Sequence, residues 1–181
     1  MLPPGHIAAG FLTARALLHF SRAGLSAAQQ TQLLWWGTFF SFAPDLDSFV
    51  SFAREKSFTV RNPQKNNHRR FISHVPLLWM LAGLIIYFVG QSPYFKTFGL
   101  LLWLCSWSHF LLDSVEYGIM WLWPFNKEIW ALKGRGADWK IQGKNFFEYW
   151  INFLKFYLTR WTFYAELIIL ISFFIFLITN H

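Results

Sequence analysis

The 181 residues are 55% hydrophobic, 22% aromatic and only 14% charged, a balance outside that of a soluble domain. Eleven Trp and 22 Phe exceed what a soluble core of this size needs, whereas a bilayer and its interface account for them. The net charge of +7 then fits a basic face against anionic membrane lipids, and no nucleic-acid partner is expected.

The chain opens with "MLPPGHIAAG", which has no Lys or Arg before Arg15 and so lacks the basic start of a signal peptide. It reads as part of the fold. "HIAAGFLTARALLHF" (6–20) is an apolar helix too short for a comfortable span. After a polar connector, "LLWWGTFFSFAPDLD" (33–47) is a second short helix, ended near Pro44. Apolar runs of this length are more often buried or re-entrant helices than spans, so the pair is expected to form a hairpin.

A basic loop (54–70) follows. "HVPLLWMLAGLIIYFVGQSPYF" (74–95) has no Asp, Glu, Lys or Arg and is the clearest predicted transmembrane helix. Pro76 suits its first turn, where no N–H partner is lost. The segment 97–123 returns across the bilayer and contains the single cysteine, Cys105, which excludes an internal disulfide. A second basic loop (126–145) precedes "FFEYWINFLKFYLTRW" (146–161), which mixes charge with aromatics as interfacial helices do. The final predicted span is 163–180. The expected fold is all-α: one integral membrane helical bundle over 1–181 with about four to five membrane-embedded helices.

Residues 54–70 hold six Lys/Arg and 126–145 hold five, against one, Lys96, in 91–96. The positive-inside rule puts both long loops in the cytoplasm. With helices alternating in direction, His6, Asp45, Asp47, His68, His74, His109 and Asp113 all fall on that same side. His109 and Asp113 are four apart and share a helix face, and Glu116 continues it at i+7. "PDLD" offers two carboxylates in a turn, where both could point at one ion. Imidazole with carboxylate suits zinc, with manganese or iron as alternatives, in a site of one, two or more ions.

Each residue also has a plainer reading. An isolated histidine is usually a hydrogen-bonded packing residue, and His19 and His181 are read so. The basic residues of 54–70 act as a cytoplasmic anchor, Arg69 and Arg70 excepted. Glu116 is equally a ligand, a supporting residue or a helix-end ion pair. For the remaining set the plain reading is poorer, because a charged group costs about 2.5–3.5 kcal/mol at a membrane helix centre.

In order along the chain, "HIAAG", "FAPDLDSF", "HRRFISHV" and "SHFLLDSVEYGIMWLWPF" resemble the motifs of the membrane-bound metal-dependent hydrolase family. That family includes LexA-binding, inner-membrane-associated proteins of bacteria assigned as hydrolases. The resemblance covers roughly residues 1–130; the rest would be an interfacial helix and a C-terminal transmembrane helix. It implies a divalent-metal site in the bacterial inner membrane, with His6, Asp45, Asp47, His74, His109 and Asp113 at ligand positions. "PDLD" and "SHxxxD" are also similar to elements of zinc-dependent phospholipase C proteins. The family segment usually reads His-Arg-Gly-x-Thr-His. Here "HRRFISH" sets its histidines six apart, so either an insertion keeps His68 in the site or Arg69 replaces a ligand.

The expected function is metal-dependent hydrolysis of a phosphoester, such as a phospholipid, at the cytoplasmic membrane face. Asp45 or Asp47 would act as general base, and Arg69 and Arg70 would neutralise phosphate. Trp79, Trp103, Trp107, Trp121 and Trp123 would ring the site or, for most of them, anchor the interface. The alternative is a non-catalytic, metal-stabilised scaffold or partner-binding protein. A transporter is disfavoured, because the ionisable groups gather on one side instead of spreading through membrane depth.

Overall fold

Apolar runs punctuated by proline and serine set the helix starts in the computed structural model, which describes residues 1–21, 24–57, 67–133, 141 and 143–179. The helices are α1 (Pro3–Phe20), α2 (Ala27–Phe42), α3 (Ser48–Glu55), α4 (Pro76–Val89), α5 (Pro93–Asp113), α6 (Phe146–Tyr157) and α7 (Trp161–Thr179). Three 3-10 turns, Ala43–Asp47, His68–Arg70 and Ile72–His74, link α2, α3 and α4. Among the described residues there is no strand, only an isolated bridge between Ile119 and Trp130. The chain is all-α.

Proline occupies the first turn of α1, α4 and α5, where a missing N–H costs nothing. Ser26 and Gln29 form a reciprocal capping box at the start of α2. That cap begins the helix at Ala27, so residues read from the sequence as polar connector are helical. The predicted helix 74–95 is shorter, ending at Val89, and the next begins at Pro93 instead of residue 97.

Helix α5 also ends early, at Asp113, not residue 123. The N–H groups of Tyr117 and Gly118 both donate to the Asp113 carbonyl, at 3.0 and 2.9 Å. Gly118 has φ +84°, a conformation that glycine adopts without strain and that turns the chain out of the helix. Two helices are long and apolar enough to cross a membrane, α5 with 21 residues and α7 with 19. The first is about 31 Å long at 1.5 Å per residue. Helix α4 is apolar but has only 14 residues. Two helices of spanning length are therefore present among the described residues, fewer than the four to five expected.

Helices α1, α2 and α5 enclose the core of Ala14, Leu18, Leu33, Phe40, Leu101 and Cys105. Helix α4 packs on α5 through Gly83 and Gly99. A Cβ on either would stand 2.5 Å from the other's carbonyl oxygen, so the backbones touch as in other small-residue membrane interfaces. Helix α7 lies along α1, where Phe11 meets Phe173 edge-on at 5.2 Å. Its other face exposes Leu167, Ile168, Ile171, Phe174, Ile175 and Ile178. The α1 start, the α2 end, the turn before α4 and the α5 end meet at one end of this bundle.

Candidate metal centre

At that end the histidines converge on one carboxylate. Asp45 Oδ1 lies 3.8 Å from His68 Nε2, 3.6 Å from His74 Nε2 and 3.7 Å from His109 Nε2. Its Oδ2 lies 3.8 Å from His6 Nε2. These separations exceed hydrogen-bond length, so four imidazole nitrogens face Asp45 without bonding to it. His6 stacks on His109, with ring centroids 3.9 Å apart. Both ring nitrogens of His6 are buried with no hydrogen-bond partner. His6, His74, His109 and Asp113 are fully buried; Asp45 and His68 form the partly open edge.

The tautomers of two histidines follow from their partners. His109 Nδ1 lies 2.9 Å from the Ser41 carbonyl, which can only accept, so Nδ1 carries the proton. His74 Nδ1 lies 2.8 Å from Asp47 Oδ2, again an acceptor. Each ring therefore turns its Nε2 lone pair inward, and the two Nε2 atoms stand 3.4 Å apart. Two lone pairs at that distance need a cation between them, a proton or a metal ion. Burial opposes charging of His74, but Asp45 and Asp47 outweigh it and raise its pKa above the ordinary histidine value. His68 is shifted the other way, below that value, by burial and then by the Arg69 and His74 charges.

Asp45, His74, His109 and Asp113 each bring one donor atom within 4.8 Å of the others'. Asp47, His68 and His74 form a second such set. Asp45 and Asp47 do not point at one place, contrary to the sequence expectation. In a 3-10 turn, residues two apart diverge by about 120°. Asp47 instead turns to His74 Nδ1 and the Ser73 hydroxyl.

Asp113 is shared between the N-terminus, His6 and Arg69. Its Oδ1 lies 2.7 Å from the Met1 amino group and 3.3 Å from His6 Nε2. Its Oδ2 accepts from Arg69 Nε at 2.8 Å, and the Arg69 guanidinium stacks on Tyr117 at 4.4 Å. His68 and Arg69 of "HRRFISH" therefore both lie at the cluster, the first near Asp45 and the second on Asp113. Arg70 is exposed.

Glu116 stands apart from the cluster, since the chain has left the helix before it and the i+7 face no longer applies. Its Oε1 pairs with Arg160 at 2.9 Å, and its Oε2 accepts from the Thr162 backbone N–H at 2.9 Å and from the Thr162 hydroxyl. It anchors the first turn of α7. His19 is exposed against Phe20, not packed in a core, and His181 lies outside the described residues.

Several supporting residues carry no motif. Ser41 donates its hydroxyl to the His6 carbonyl at 2.7 Å while its own carbonyl holds His109. The Trp79 indole donates to the Ser73 carbonyl at 2.7 Å and the Trp107 indole to that of Pro76 at 3.0 Å. These two tryptophans clamp the turn that presents His74, so they are more than interfacial anchors. Trp121 donates to the Ser114 hydroxyl. On α7, Glu166 accepts from the N–H groups of Gly5 at 2.9 Å and Leu2 at 3.4 Å, and from the Tyr157 hydroxyl. A carboxylate at a helix start offsets the unpaired N–H groups there, so α7 fixes the turn that carries His6.

A family model described as YdjM inner membrane protein matches residues 1–181. The chain belongs to this family. Its place is therefore the inner membrane, in keeping with the apolar surfaces of α5 and α7. No curated protein and no solved structure gives a significant match to the chain.

Proposed function

We propose that the protein is a metal-dependent phosphoester hydrolase working at the cytoplasmic face of the inner membrane. The observation that carries this reading is the pair of inward Nε2 atoms of His74 and His109, 3.4 Å apart with both Nδ1 atoms held by acceptors. Two nitrogens bound to one tetrahedral zinc at about 2.0–2.1 Å stand roughly 3.4 Å apart. The orphaned nitrogens of buried His6 support the same cation. The donor set of imidazole and carboxylate favours zinc, with manganese or iron as alternatives.

The ligands are His74, His109 and Asp45, with His6, His68 and Asp113 completing the shell. Asp47 orients His74, as carboxylates behind metal-binding histidines do. When bound, such an ion supplies Lewis acidity and a water acidified to a pKa of about 7. Asp45, on the partly open edge, would bind the ion through one oxygen and accept the proton of the attacking water on the other. Arg69 has five N–H donors, of which Asp113 takes one, and the remainder meet the phosphate. Helices α1, α2 and α4 are embedded beside the spanning pair, and the basic loops set the cytoplasmic orientation.

The test is release of phosphate or alcohol from a panel of soluble and lipid phosphoesters by purified protein loaded with zinc, manganese or iron. Turnover that requires the ion and is lost in Asp45→Asn supports the reading. Metal binding with no turnover across the panel overturns it and favours the metal-stabilised scaffold, which the full burial of four donors would suit.

A further inference from the structure

The helix that leaves the metal cluster is built inside out. In α3 and the turn before it, Leu46, Phe49, Val50 and Ala53 are exposed, at i, i+3, i+4 and i+7, a single helical face. The opposite face holds Asp47 and Ser51, both buried. A surface helix in water turns its apolar stripe inward. Here the polar stripe faces the protein, where Asp47 serves His74, and the apolar stripe faces out with Phe49 61% exposed and Val50 46%. Ile72, two residues before His74, is 67% exposed, and Arg54 at the end of α3 stacks on Phe71 at 4.8 Å. Arg54, Lys56 and Arg70 edge this patch with exposed positive charge.

Among the described residues this patch adjoins the partly exposed edge of the cluster. His6, His74, His109 and Asp113 are sealed, and the residues with exposure are Asp45, beside Leu46, with His68 and Arg69. Any ligand reaching the cluster past Asp45 and His68 passes the apolar face of α3 and Ile72. An aqueous path lined this way would expose large apolar side chains for no return. An apolar face with a basic fringe matches the acyl–headgroup boundary of an anionic leaflet.

We infer that the α3 face of Leu46, Phe49, Val50 and Ala53, with Ile72, is immersed in the leaflet and opens the donor cluster sideways to phosphate-bearing lipids. The chains of such a lipid stay against α3 while its phosphate reaches Asp45 and Arg69. The surface is argued independently of hydrolysis; only the lipid's status as substrate rests on the function proposed above.

The test places a nitroxide at Phe49→Cys, Val50→Cys or Ile72→Cys in a Cys105→Ala background, with full-length protein reconstituted in vesicles of phosphatidylglycerol and phosphatidylethanolamine. The native cysteine is buried and its removal leaves one labelling site. Collisions with oxygen, which concentrates in lipid, are expected to exceed those with a water-soluble nickel chelate at all three positions. Phosphatidic acid with a photoreactive acyl chain is expected to cross-link within residues 46–53, at least fivefold less in Phe49→Asp/Val50→Asp. Nickel accessibility exceeding oxygen at these positions, or cross-links confined to α7, would overturn the inference. Lipid contact at α3 without turnover of any phosphoester would leave the surface standing and remove the hydrolytic reading alone.

Discussion

Two groups of buried ionisable side chains lie in the same apolar protein and are treated in opposite ways. Glu116 and Glu166 are saturated. The first has Arg160 and Thr162, the second Gly5, Leu2 and Tyr157, so each carboxylate joins one helix to another. The Asp45 cluster is not saturated. Four Nε2 atoms face one carboxylate at 3.6–3.8 Å, and neither ring nitrogen of His6 makes a hydrogen bond, its Nε2 lying 3.3 Å from Asp113 Oδ1. Burying polar atoms without partners costs roughly 1–3 kcal/mol each, so their arrangement calls for a ligand. In this protein one set of buried charges is satisfied by the chain itself and the other is not, and the proposed metal site is the second.

That contrast can be broken experimentally. The largest expected effect on folding comes from the saturated pair. Glu166→Ala removes the acceptor of the Leu2 N–H and the better of the two acceptors of the Gly5 N–H, leaves the Tyr157 hydroxyl without its carboxylate, and should cost about 3 kcal/mol; Glu116→Ala should cost about 2–3 kcal/mol, since Arg160 keeps partial solvent access. Thermal unfolding in detergent measures both. Metal bound per folded molecule should be unchanged in Glu116→Ala, and its loss without unfolding would erase the distinction.

Asp47→Asn should leave the protein folded and weaken metal binding about 10–100-fold, because His74 loses its carboxylate partner. Competition with a chromogenic chelator reads this. Affinity should also fall as pH falls. The raised pKa of His74 means a proton competes with the ion, by about tenfold per pH unit below that value when one proton is displaced. Binding that is flat from pH 5 to 8 would remove His74 from the ligands. The smallest effect is expected at Arg70. Arg70→Ala should change stability by less than about 0.5 kcal/mol, and metal content not at all, because its side chain is exposed.

Much of the cluster was legible in the sequence because connectivity alone brings His6, Asp45, His74, His109 and Asp113 to one end. The helical pairing of His109 with Asp113 survived, since both lie in the last turn and a half of α5. Glu116 was misplaced because the turn at Gly118 ends that helix, and apolar composition does not mark where a helix stops. Asp45 and Asp47 face different partners because a 3-10 turn separates residues that a loop could have aligned; Asp47 falls in the second donor set, with His68 and His74. The number of spanning helices was overcounted for a related reason: α4 reads as a span by composition, but the Gly90 and Pro93 breaks leave it 14 residues. Glu166 carried no signal, since its role depends on α7 lying against α1, a contact over 161 residues of chain.

The central claim is that the unsaturated cluster holds a divalent ion and the saturated one does not. The direct measurement is metal content of the purified wild-type protein beside His109→Ala, Asp45→Ala and Glu116→Gln, each checked for folding. Stoichiometric metal in wild type and Glu116→Gln, lost in His109→Ala and Asp45→Ala, is the predicted result. Full occupancy in the two cluster variants, or no metal retained by wild type after loading, would contradict it.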